Sequence, residues 1–193
     1  RTNLPKLPAG WCWTTLDALI TDGPQNGIYV PKSQYGRGTP ILRIEDYQID
    51  WSRGSDELQR IEISDADAKT YGLRIDDILI NRVNSPSHLG KSMSVSARNI
   101  PAVFESNMMR MSLAAGVHAR YVQEYLSSVE GKIRLIENAK WAVNQASINQ
   151  GDVAHTAIPL PPVTEQVRIV AEVNRLLSMA QMTSAAAERN ATR

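Results

Sequence analysis

The sequence predicts a mixed α/β (α+β) domain over residues 1–161, followed by a single long coiled-coil-type helix over 162–193. Three observations carry that prediction. Short apolar runs bounded by glycine, proline and polar clusters recur up to about residue 160, as strands do. Between them lie segments whose apolar residues repeat at three- and four-residue steps, as helices require. Ile158-Pro159-Leu160-Pro161-Pro162 then ends both patterns, because proline lacks a backbone donor and disfavours helix in the residue before it.

The elements follow in order. Leu7-Pro8-Ala9-Gly10 is a turn leading into Trp11-Cys12-Trp13, whose tryptophans share one face of an extended segment. Thr14–Ile20 predicts a short threonine-capped helix. Residues 22–39, with Gly23, Pro24, Gly27, Pro31, Gly36 and Gly38, read as a long loop of the functional kind. Pro40–Ile44 reads as a strand, Ser64–Ala68 as a capped helix ending before Gly72, and Asp77–Val83 as the best strand in the chain. A second loop, Asn84 to Ser92, is followed by strands at 92–97, 102–105 and 108–113. Residues 119–136 carry a helical face of Tyr121, Val122, Tyr125, Leu126, Val129, Ile133 and Ile136. An amide-rich loop, 140–151, precedes the proline cluster.

The final helix is expected from Glu165 to about Arg189, capped by Thr164, with the Glu165 carboxylate at the positive end of the helix dipole. Twenty-five residues span ~37 Å. Val170, Val173, Leu177, Ala180, Ser184 and Ala187 form its seam, with knobs that shrink toward the C-terminus and let a partner helix approach closely.

Composition bounds the function. One cysteine, Cys12, excludes an intrachain disulfide and is expected to be a packed thiol. No run approaches the ~20 apolar residues of a membrane span, so a cytoplasmic location is expected. The chain opens on Arg1, as a piece of a longer reading frame would. The net charge is only +1, but it is segregated: +3 over residues 1–44, −6 over 45–77 and +4 over 78–150. Positive charge confined to one face is compatible with a phosphate-binding surface.

Catalytic constellations are absent from the sequence. His88, His118 and His155 are scattered without cysteine or carboxylate at ligand spacing, and Gly36-Arg37-Gly38 is not a phosphate loop. Pro161-Pro162 lacks the flanking polar and aromatic residues of a base-flipping methyltransferase motif. Hence no catalytic residue, metal ligand or cofactor site is expected in this chain. Hydrogen-bonding residues fall instead in the loops. Gln25, Asn26, Tyr29, Lys32, Ser33, Gln34, Tyr35 and Arg37 fill the first, with Arg43 on the strand beyond. Arg82, Asn84, Ser85, His88 and Lys91 fill the second, and Lys140, Asn144, Gln145, Ser147 and Asn149 the third. Amide side chains can engage adenine bidentately and Arg or Lys guanine, while Ser, Tyr and Lys suit phosphates. The alternative is a protein-interaction scaffold that assembles a complex without reading DNA.

Leu7-Pro8-Ala9-Gly10-Trp11-Cys12-Trp13-Thr14-Thr15-Leu16, Gly38-Thr39-Pro40-Ile41-Leu42-Arg43-Ile44, Asp76-Asp77-Ile78-Leu79-Ile80-Asn81-Arg82 and Pro159-Leu160-Pro161-Pro162-Val163-Thr164-Glu165-Gln166-Val167-Arg168-Ile169-Val170 occur in that order. Together they resemble the specificity subunit of type I restriction-modification systems, with Asp76 where that family usually has glycine. The resemblance implies a DNA target recognition domain followed by a conserved spacer helix. It further implies that a complete subunit holds two such units with antiparallel helices, each reading half of a split double-stranded DNA target. Methyltransferase and restriction subunits docked on it would supply S-adenosylmethionine-dependent adenine methylation and ATP- and Mg2+-dependent cleavage. The chain departs from the pattern in holding one unit, without the usual Leu-Arg-x-x-Ile-Leu and Ala-Phe-x-Gly continuation. It is therefore expected to be half of a longer subunit, or a half-subunit that pairs through its helix.

Overall fold

A computed structural model describes residues 4–48 and 51–191. It is a mixed α/β fold with a long C-terminal helix, as the sequence predicts. In chain order its elements are β1 (Cys12–Thr15), β2 (Ile20–Asn26), β3 (Tyr35–Leu42), β4 (Arg60–Ile61), α1 (Asp65–Thr70), β5 (Ile78–Asn81), β6 (Val83–Asn84), β7 (Ser92–Ser94), β8 (Val103–Phe104) and β9 (Met108–Leu113). There follow α2 (Ala119–Ser127), α3 (Val129–Leu135), β10 (Lys140–Trp141), β11 (Ala146–Ser147), α4 (Gln150–Ala154), β12 (Ala157–Leu160) and α5 (Val163–Ala191).

The centre is a four-stranded antiparallel sheet in the order β2-β9-β5-β7. β5 reads as a continuous apolar run because both of its faces are covered. Ile78 and Ile80 join Met109 and Met111 in a core closed by Val122, Leu126, Leu135, Val153 and Ile158. Leu79 points the opposite way, into a second core with Leu42, Tyr47, Phe104 and Met108. Beside it lies a smaller sheet, β4-β3-β8, in which β3 and β8 run parallel. β1 pairs with β12, and β10, β11 and β6 form a three-stranded ribbon.

Several local expectations need correction. The predicted loop 22–39 is largely strand, because β2 pairs with β9 and β3 begins at Tyr35; only 27–34 connects them, with a 3-10 turn at Lys32–Gln34. Thr14 and Thr15 extend β1, and the helix after them is a single 3-10 turn, Leu16–Ala18, without a side-chain cap. The 119–136 helix breaks at Ser128, which ends α2 and whose hydroxyl accepts from the Gly131 N–H at 3.1 Å to start α3. That break takes Val129 and Ile133 off the expected face; they are 81% and 62% exposed, and Leu135 is buried instead. Residues 140–151 hold a hairpin and the start of α4 rather than a loop. Cys12 is exposed, because its neighbours in β1 take the sheltered positions.

α5 starts at Val163, and the Pro162 carbonyl accepts from the Glu165 and Gln166 N–H groups, so Thr164 lies inside the first turn instead of capping it. Three side-chain bonds fix this joint. Buried Gln166 donates to the Pro161 carbonyl at 2.9 Å and accepts from the His118 N–H at 2.8 Å, while Trp11 Nε1 donates to Glu165 at 3.0 Å. Val170 is buried in the domain's own core, so the expected seam begins by docking α5 to its own domain. Beyond it Val173 is half-buried and Leu177 and Ala180 are exposed; the side chains of Ser184 and Ala187 lie outside the described residues.

Candidate nucleic-acid interface

Several segments leave the central sheet at one end. β2 finishes at Asn26 opposite Met109, β5 at Asn81 opposite Met108, and β7 begins at Ser92 opposite Ile80. The connections 27–34 and 82–91 and the β8–β9 turn at 105–107 therefore share one rim. Hydrogen bonds knit them together. Gly27 N–H donates to Met108 at 3.1 Å and Ile28 N–H to Phe104 at 2.9 Å. A side chain at Gly27 would collide with the carbonyls of Phe104 and Glu105, so this close approach needs glycine. On the far side of the turn, Arg82 N–H donates to Asn107 at 2.8 Å, and its Nη1 to the Ser106 carbonyl at 3.0 Å.

The hairpin β10–β11 is brought to the same rim. β11 pairs with β6 (Ala146 opposite Asn84, Ser147 opposite Val83), and Ile148 N–H donates to the Arg82 carbonyl at 2.9 Å. The second and third polar segments of the sequence thus form one ribbon. Ala146 and Ile148 are buried, so the alternate positions, Gln145 and Ser147, occupy the other face, where Lys140 is the cross-strand partner of Ser147. Asn84 shares the face of Ala146 and so does not join Ser147. The tip reaches beyond β6, closed by Ala142 N–H donating to the Gln145 carbonyl at 2.8 Å.

The candidate residues divide by availability. Asn26, Lys32, Ser33, Gln34, Lys140, Asn144 and Gln145 are exposed, and Tyr29 is 79% exposed. Exposed Arg37 pairs with Glu62. Exposed His88 is held by the hydroxyls of Ser85 and Ser87 at 2.9 and 3.0 Å. Others make hydrogen bonds or ion pairs within the protein itself. Gln25 accepts from Arg110 at 2.7 Å, and Asn84 Oδ1 accepts from the Ser85 N–H at 2.8 Å. Arg43 bonds Gln59 at 3.1 Å and Glu45 at 3.0 Å, and its guanidinium lies 5.9 Å from the Tyr35 ring centroid. Asn149 caps α4 by accepting from the Asp152 N–H at 3.1 Å.

Lys91 is the clearest case. Its Nζ donates to the carbonyls of Ile44 and Tyr47 at 3.0 and 2.7 Å and sits 4.3 Å from the Tyr47 ring centroid. Burial holds its pKa below the usual lysine value. Tyr47 in turn donates to buried Asn81 at 2.5 Å, pinning the 44–47 turn beside the end of β5. Glu105 serves the same turn by accepting from the Ile44 N–H at 2.6 Å, with Arg43 3.7 Å away. Burial raises its pKa more than that bond and Arg43 lower it, and burial likewise raises Asp46. Sequence reasoning missed Trp141 and Val143, which are 57% and 96% exposed on the hairpin. The signal was a short apolar run, Trp141-Ala142-Val143, inside an amide-rich segment.

Comparison with known proteins converges on one family. No family model matches the chain. Over 173 residues it is 29% identical to the type I restriction enzyme StySPI specificity subunit of Salmonella potsdam, covering 89% of this chain and 37% of that protein. It is 30% identical over 174 residues to the putative type I restriction enzyme MjaX specificity subunit of Methanocaldococcus jannaschii, covering 88% of this chain and 40% of the relative. The chain thus spans about two-fifths of the length of the curated relatives it matches. The fold agrees. A chain from a structure of the assembly and conformational transition of the type I R-M system matches 99% of this chain and 44% of its own length, with a TM-score of 0.73 and 22% identity. The HsdS subunit from Thermoanaerobacter tengcongensis matches 96% of this chain and 42% of its own length, with a TM-score of 0.66 and 20% identity. Ordered motifs, overall sequence and fold together place the chain among the specificity subunits of type I restriction enzymes, over a stretch equivalent to one recognition domain and one helix.

Proposed function

We propose that this chain recognises one half of a bipartite double-stranded DNA sequence as the specificity component of a type I restriction-modification enzyme. The observation that carries this reading is the convergence of 27–34, 82–91 and the 140–147 hairpin on one rim of a rigid sheet, where exposed amides lie among Lys32, Arg82 and Lys140. Amides and guanidinium groups read base edges, while lysines and hydroxyls hold phosphates. In this reading the chain makes and breaks no bonds. Partner methyltransferase and restriction subunits, working in the cytoplasm, bring S-adenosylmethionine, ATP and Mg2+. α5 is the scaffold arm, and its 29 residues extend ~43 Å, somewhat more than the ~34 Å of a duplex turn. A second recognition unit, in the same polypeptide or in another copy, packs against it.

The test is selection of a duplex from a randomised library with the whole chain, followed by binding titrations at several salt concentrations. The expected result is an enriched half-site whose affinity falls linearly on a log–log salt plot. Arg82→Ala or Gln145→Ala is expected to cost about 1–3 kcal/mol on that site and little on scrambled DNA. Helix-mediated association without any salt-dependent DNA affinity would support an interaction scaffold and overturn the proposal.

A further inference from the structure

The hairpin tip carries chemistry that phosphate binding does not need. Val143 is 96% exposed and its neighbours Ala142, Asn144 and Gln145 are exposed too. Val143 belongs to none of the three cores, and with Trp141, 57% exposed, it makes the hairpin an apolar projection from a polar rim. The tip is also narrow: beyond the Ala146–Asn84 pair only the β10 and β11 arms continue. A two-stranded ribbon fits the major groove, and there thymine alone among the bases presents a methyl group. Adenine, its partner, presents the N7 acceptor and N6 donor that an Asn or Gln amide engages bidentately. Val143, Asn144 and Gln145 follow one another without interruption, an apolar contact beside two amides.

Resting on the DNA-reading function above, we infer that the Val143–Gln145 tip enters the major groove and reads A·T pairs, with Val143 against the thymine methyl and the amides of Asn144 and Gln145 against adenine. The anchoring supports insertion. β11 is paired on both sides, and Ala146 and Ile148 root it in the main core, so the tip is presented on a fixed base. Arg82 stands at that base, pinned to Ser106, while Lys140 lies on the Ser147 face toward which flanking phosphates would come.

The experiment uses the whole chain and the duplex selected from a randomised library, with each thymine replaced in turn by deoxyuridine, which removes the methyl alone. Loss of one buried methyl is expected to weaken binding about fourfold at one or two A·T positions and nowhere else. Val143→Ser is expected to abolish that sensitivity while leaving the salt slope and thermal stability unchanged, since the side chain touches no core residue. Uniform indifference to deoxyuridine, or a Val143→Ser protein that still discriminates thymine from uracil, overturns the inference while leaving specific DNA recognition intact. Failure to select any sequence overturns the recognition reading, and the inference falls with it.

Discussion

At the scale of single residues, Asp76 shows how a departure from a motif becomes a physical statement. Its φ of 68° lies in the left-handed region, the one such non-glycine residue among those described. The related motif usually has glycine at this place, and glycine adopts this conformation without a Cβ clash, whereas aspartate tolerates it at a cost. Asp76→Gly is expected to stabilise the fold by up to about 1 kcal/mol and Asp76→Ala to destabilise it by a similar amount, read from urea midpoints. Glu105 provides a second test. Because burial raises its folded pKa, the native state keeps a proton that the unfolded chain has already released, so stability falls as pH rises through the interval above the ordinary carboxylate value. Asp46 acts in the same direction. Glu105→Gln is expected to flatten that fall in a pH series of urea midpoints, with Asp46 still contributing in the same direction; an unchanged slope would refute the assignment. Residue-level roles were the least legible part of the sequence. Lys91 and Gln25 have the same polarity as Lys140 and Gln145, and only the tertiary fold shows that the first two are spent on bonds to Tyr47 and Arg110, whereas the cap that Asn149 makes to Asp152 is local.

At the scale of elements, legibility followed burial. β5 was plain because both of its faces are covered, leaving an uninterrupted apolar run, and α1 because Ser64 accepts from the Asp67 N–H at 3.0 Å in a local cap. β2 was hidden by Gly23 and Pro24, whose places in the strand coincide with register shifts against β9. The 119–136 periodicity ran unbroken through a real boundary, since a three- and four-residue pattern does not register a cap at Ser128. Ser128→Ala removes the acceptor for the Gly131 N–H and is expected to cost about 0.5–2 kcal/mol, measured by chemical denaturation. Gly131→Ala does not compensate through helix propensity, because the added methyl would meet the Tyr125 carbonyl.

At the scale of the whole molecule, the fold class was readable because the proline cluster is a local signal with a global consequence. The direction of α5 was not, because it depends on Gln166 meeting His118 across 48 residues. Past the docked turn, α5 leaves Leu176, Leu177, Met179 and Met182 exposed, an apolar surface that a partner helix would cover. Concentration-dependent association in sedimentation experiments is the expected outcome. Leu176→Glu with Leu177→Glu is expected to reduce it without lowering the melting temperature of the domain, since neither side chain belongs to its cores.

The thiol of Cys12 then takes on a use that has nothing to do with recognition. It is the sole cysteine of the chain, it is exposed, and its residue pairs with Leu160 just ahead of the α5 joint. A nitroxide or fluorophore attached there needs no engineered substitution. In an assembly of two such chains it would report the separation of the two heads, and how that separation responds to DNA, directly as a spectroscopic distance.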